Sequence, residues 1–134
     1  MLEKSTEEKQ MELYDASSKY PGFEYPYGLE KIVDLGIIDL DVWFVMDAPF
    51  AKDYCADMAN RYPERKLVPF AKRCDNDDVA CFEVGKPGKV EIIHDFADPG
   101  WEQRAEYVGF WEWFADAVNM LIERSQEDEA NECR

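Results

Sequence analysis

The rhythm of apolar and polar positions changes several times along this chain, and each rhythm predicts an element. Residues 3–20 carry a thin apolar stripe at Met11, Leu13 and Tyr14 between glutamates and lysines, which predicts an N-terminal helix. Ser5 followed by Glu8 has the spacing of a capping box, in which each side chain bonds the other's backbone amide. The stripe is weak, so this helix must depend on docking rather than on propensity. PGFEYPYG ends it: Pro21 and Pro26 exclude helix, Gly22 and Gly28 permit tight turns, and Phe23, Tyr25 and Tyr27 are expected to pack under the domain. A short helix over 29–35 follows, with Leu29, Ile32 and Val33 on one side and Gly36 just past its end.

The period then shortens. Asp39 and Asp41 alternate with apolar residues, and 42–46 is continuously apolar, which predicts a buried strand. Pro49 suits the first turn of a helix over 50–61, in which Phe50, Tyr54 and Met58 recur at four-residue spacing with Ala51 and Cys55 beside them. Pro63 stops that helix. Residues 67–70 begin another strand, in which Pro69 marks an edge or a bulge. CDNDD has turn composition, 79–84 alternates, GKPGK turns again and 90–94 is apolar. Strands joined by such short turns form an antiparallel meander. ADPGW breaks the pattern, and 102–124 reads as the longest helix, with Trp111, Phe114, Ala115, Val118, Leu121 and Ile122 facing the sheet. ERSQEDEANECR is polar and acidic, so residues from about 125 onward are expected to fray as a disordered tail.

Helices before and after a cluster of strands define an α+β fold. Without linkers, low-complexity tracts or internal repeats, the 134 residues form one domain. A composition 46% hydrophobic and 14% aromatic supports a packed core and argues against global disorder. The net charge of −15, from 30 acidic against 15 basic residues, argues against nucleic acid as a ligand, because phosphate binding needs Lys and Arg. A basic protein partner would be steered toward such a surface, but solubility by charge is the plainer reading of the charge alone. The polar N-terminus carries no signal-peptide pattern, and no apolar run reaches the length of a membrane span, so a cytoplasmic protein is expected. Cys55, Cys74, Cys81 and Cys133 form no Cys-x-x-Cys pair, and His94 is not at zinc spacing from them. They read as reduced thiols, with Cys74 and Cys81 able to face each other across a hairpin.

Candidate chemistry is sparse. Asp75, Asp77 and Asp78 have the carboxylate density of a hard-cation loop, but lack its glycine and distant glutamate, and a hairpin turn explains them better. His94 beside Asp95 resembles a base with its orienting carboxylate. Neighbours on a regular strand point to opposite faces, however, and a strand-end role in which Asp95 bonds turn amides is favoured. Trp101 is read as a wedge between strand and helix, and Glu102, with Arg104 nearby, as a helix start favoured by the dipole. Phe110, Trp111, Trp113 and Phe114 cannot all face one core, so Phe110 or Trp113 is expected to be partly exposed or to pack on the N-terminal helix. No catalytic, cofactor-binding or metal-ligating set emerges. The candidate partner contacts are Asp75, Asp77, Asp78, Trp101, Glu102 and Trp113.

PYGLEKIVDLGI, LVPFAKRCDNDDVACFEV, KVEIIHDFADPGWE and FWEWFADAV, in that order over residues 20–120, resemble the SUKH superfamily of cell-wall synthesis regulators and small bacterial proteins. The resemblance implies a curved antiparallel sheet with helices packed on it and a non-enzymatic protein-binding role. Many bacterial members are immunity proteins that neutralise a toxin, often a nuclease. An acidic inhibitor suits a basic nuclease cleft. The family has no shared catalytic residues, and no contact residue transfers. A regulatory scaffold domain without a toxin partner is one alternative. A small-molecule or metal-dependent enzyme using His94 and the nearby aspartates is the other.

Overall fold

The computed structural model describes residues 11–132. The elements run α1 (Tyr27–Asp34), β1 (Asp39–Leu40), β2 (Trp43–Val45), α2 (Ala48–Arg61), β3 (Leu67–Arg73), β4 (Asp78–Glu83), β5 (Lys86–His94), β6 (Gln103–Tyr107) and α3 (Phe110–Glu132). The six strands lie in sequence order in one antiparallel sheet, so the expected α+β meander is what forms.

Both faces of the sheet are covered. Val68, Phe70, Ala80, Phe82, Val90 and Ile92 face α1, α3 and the 11–25 segment. Leu67, Val79, Cys81 and Ile93 face α2. Strands buried on both sides read as continuous apolar runs, which is why β3 and β4 are buried at nearly every position. Pro69 sits in the interior of the sheet at a register shift against β4, so it marks a bulge and not an edge.

The helix ends follow local chemistry. Asp47 caps α2 by accepting from the Phe50 amide at 3.0 Å, with Pro49 in the first turn. Gly36, at φ +76, closes α1: Ile37 N donates to Ile32 O and Gly36 N to Val33 O, the paired bonds of a left-handed C-terminal cap. α2 buries Ala51, Cys55 and Met58, while Phe50 stays exposed, so the buried stripe lies one position round from the predicted one. Residues 11–20 hold only a short 3₁₀ turn at Ala16–Ser18; the capping box of the predicted helix and Cys133 lie outside the described residues.

The predicted helix over 102–124 needs correction at three points. Residues 103–107 form the edge strand β6, and the helix starts at Phe110. Its buried residues are Phe110, Trp113 and Ala117, whereas Trp111 is half-exposed. Trp113 stands edge-on to Phe70 (centroids 5.0 Å) and Trp43 (5.5 Å), and Phe70 stacks on Phe82 at 4.3 Å. A run of adjacent aromatics does not fix helical phase; the deep slot beside Trp43 and Phe70 does. The acidic segment continues as helix to Glu132, since Glu, Gln and Ala are good helix formers in water. α1 and α3 meet without spacing, because a Cβ at Gly28 would lie 2.5 Å from the Phe110 ring.

Candidate functional site

Alternate turns of a meander fall at the same end of its sheet. The β1–β2 turn, the β3–β4 turn (74–77) and the β5–β6 loop (95–102) therefore gather at one end. Backbone bonds stitch them together: Cys74 N donates to Val42 O at 2.9 Å, and Asp95 N donates to Asp77 O at 3.1 Å.

The β5–β6 loop is clamped to the end of α2. Arg61 donates to both oxygens of Asp95, at 2.8 and 2.7 Å, and the Asp95 side chain has no solvent exposure. Such a bidentate pair fixes direction as well as distance. Asp95 Oδ1 also accepts from Phe96 N at 2.9 Å, the structural turn role read from the sequence. Tyr62 donates its hydroxyl to Ala97 O at 2.8 Å. At the far side of the loop, Arg65 donates to Glu102 at 3.0 Å, and the other Glu102 oxygen accepts from Gly100 N at 2.7 Å.

What the clamp holds out is apolar. Phe96 is 63% exposed, at φ +70, with the Arg61 guanidinium 4.4 Å above its ring. Trp101 is 81% exposed. A bulky residue in the left-handed region persists only where its surroundings enforce it, and such positions cluster at functional sites. The turns at the same end of the sheet also expose Asp41, Asp75, Asp77 and Asp98. The Arg73 guanidinium, bonded to both Asp75 oxygens at 2.8 Å, holds that carboxyl below its usual range.

Of the predicted contacts, Asp75, Asp77 and Trp101 are exposed in turns at this one end, although Trp101 projects into solvent and does not wedge strand against helix. Three others turn inward. Asp78 is 3% exposed and accepts from Arg104 Nε at 2.7 Å. Glu102 is buried beside Arg65 and immediately precedes a strand, not a helix. Trp113 is core. None of these three is available to a partner. Cys74 and Cys81 do not face each other: Pro69 opposes Cys81, which is buried, while Cys74 is exposed in the turn. Phe23 and Tyr25 pack on Phe82 as expected, but Tyr27 is 70% exposed.

The sequence missed Arg61, Arg65, Phe96 and Asp98. Two arginines four residues apart at a helix end were a signal. Their carboxylate partners lie on other strands, and only the fold joins them.

Beyond the loop, Arg65 donates to Glu83 at 2.7 and 3.0 Å. That hydrogen bond lowers the Glu83 pKa and raises that of Arg65. His94 Nδ1 lies 3.6 Å from Asp78 Oδ1, beyond hydrogen-bond reach, and has no partner. Among the described residues, no group of three or more His, Cys, Asp or Glu is placed to hold a metal ion, and no helix is long and apolar enough to cross a membrane. A groove of about 520 Å³ between the 21–26 segment and the β4–β5 turn is mainly apolar, with walls from Phe23, Phe82 and Pro87. Of its charged residues Glu24, Glu83 and Lys86, the last two lie 3.6 Å apart and pair with each other.

No family model, curated protein or solved structure matches the chain.

Proposed function

We propose that this chain is a non-enzymatic protein-binding domain of the immunity type, whose hairpin-turn end docks on the basic face of a toxin domain, a nuclease first among them. The observation that carries the reading is the pair Trp101 and Phe96, held out by buried ion pairs on an end lined with aspartates. Rigid aromatic anchors lose little conformational entropy on binding, and they dominate interface energetics. The carboxylates around them steer a basic partner and set its orientation. The net charge of −15 and the SUKH-like motifs point the same way.

The test is co-expression of the full chain with toxin domains encoded beside its gene, followed by affinity measurement on any protected pair. Protection is expected, with binding that weakens as salt rises. Trp101→Ala should cost about 2 kcal/mol of binding, roughly thirtyfold in Kd. A chain that neither binds nor protects against any neighbouring toxin ends the immunity reading. Binding unaffected by Trp101→Ala and by Asp75→Asn with Asp77→Asn moves the interface elsewhere.

A further inference from the structure

Glu91 lies in the middle of β5, and its side chain is 1% exposed. The register places it directly opposite Glu106 of β6 on one side and Cys81 of β4 on the other. Oε1 is served: Gln103 Nε2 donates to it at 3.0 Å, and Arg65 and Lys86 each stand 3.9 Å away. Oε2 is buried and has no donor. Directly opposed residues on paired strands share a face, and Lys86 Nζ stands 3.9 Å from the Glu91 carboxylate and 3.8 Å from that of Glu106. Ionised carboxylate oxygens only accept, so the two can bond each other only with a proton on one of them.

The surroundings say which. Arg65 is committed to Glu83 at 2.7 Å and to Glu102 at 3.0 Å, so little of its charge is directed at Glu91. Glu106 is exposed and has Lys89 at 3.5 Å and Lys86 at 3.8 Å. Buried Cys81 supplies no charge, because burial pushes its thiol far up. Charge is cheap on Glu106 and costly on Glu91.

We propose that Glu91 and Glu106 share a single proton, held on Glu91 Oε2 and donated to the Glu106 carboxylate, and that this proton latches the edge strand β6 to the sheet. Burial, then the Glu106 hydrogen bond, raises the Glu91 pKa, while that same bond lowers the Glu106 pKa. The sign follows: Glu91 contributes stability that is present below its unfolded value of 4.5 and lost as pH rises through its folded value. Above that value two like charges oppose each other across the last strand pair. β6 begins one residue after Glu102, the far anchor of the β5–β6 loop, so loosening it loosens the display of Trp101. This last coupling rests on the proposed binding role; the shared proton does not.

The test is ¹³C-detected titration of the glutamate carboxyls in the full chain, with thermal melts and β6 amide exchange over the same pH series. Glu91 should titrate above every exposed glutamate, and Glu106→Gln should bring it down, because the glutamine amide donates in place of the proton. Glu91→Gln keeps a donor toward Glu106, so its Tm advantage over wild type should grow as pH rises, and its β6 protection should stop depending on pH. Glu91 titrating with the exposed glutamates, or a Tm difference flat with pH, overturns the shared proton. β6 protection that ignores the Glu91 titration overturns the latch. No readout involves a partner, so a failed toxin interaction leaves each result standing.

Discussion

Arg61 and Asp95, 34 residues apart in sequence, form a two-point ion pair in which the carboxylate is fully buried and the guanidinium lies over the Phe96 ring. One arginine thus does two things. It neutralises a charge that burial would otherwise penalise, and it supports the ring beside it. Arg61→Ala leaves Asp95 buried and unpaired, so a loss of about 3 kcal/mol is expected in urea denaturation. Removing both partners with Asp95→Asn should recover part of it. Equal stability in wild type and Arg61→Ala would show that the pair does not anchor the loop.

The two tryptophans flanking the β6–α3 region should separate stability from recognition. Trp101→Ala should change unfolding free energy by less than about 0.5 kcal/mol, since its side chain is in solvent. Trp113→Ala should cost about 3–5 kcal/mol through the cavity it leaves among Phe70, Trp43 and Phe110. Trp113→Phe should cost much less, because the buried indole N–H it removes has no partner. Chemical denaturation of the three variants decides it.

Gly28→Ala should destabilise by about 1–3 kcal/mol, because the added methyl meets the Phe110 ring at 2.5 Å. A paired Phe110→Leu change that restores stability to Gly28→Ala would place the cost at that contact. Additive losses would place it elsewhere.

Acid should weaken the fold through Arg65. Hydrogen bonds from Arg65 hold Glu83 below its usual pKa. Burial pushes Glu102 up, but backbone amides and Arg65 outweigh it and leave Glu102 lowered. Carboxylates of this kind contribute stability that is present above their unfolded value of 4.5 and lost as pH falls through their folded values. Arg65→Gln should flatten the acid limb of the stability curve. An unchanged acid limb would remove Arg65 as its origin.

The sequence was most informative where a residue's role is set by its neighbours in the chain. Gly36 after α1, Pro49 in α2 and the DNDD turn all act locally, and each appears where the pattern placed it. The order of β3, β4 and β5 also followed, because short turns let neighbouring strands pair, whereas β2 reaches β3 only through α2. β6 could not be read. Gln103, Arg104, Ala105, Glu106 and Tyr107 carry no apolar alternation, and several are good helix formers; pairing with β5 overrides that preference. The site was half legible. Asp75, Asp77 and Trp101 stand out by composition, but burial of Asp78 and Glu102 depends on Arg104 and Arg65, which arrive from other elements. Trp113 looked like a surface anchor only because adjacent tryptophans give no phase.

The gathering of alternate turns at one end also bears on how such a chain can diverge. Apart from Val42, Asp95 and Glu102, which are buried, turns 41–42, 74–77 and 95–102 carry surface side chains, so these can drift while the packing around Phe70 and Trp113 stays fixed. A lineage built on this meander can therefore change the surface it shows at this end by rewriting a dozen or so letters, leaving the hydrophobic grammar that folds it untouched.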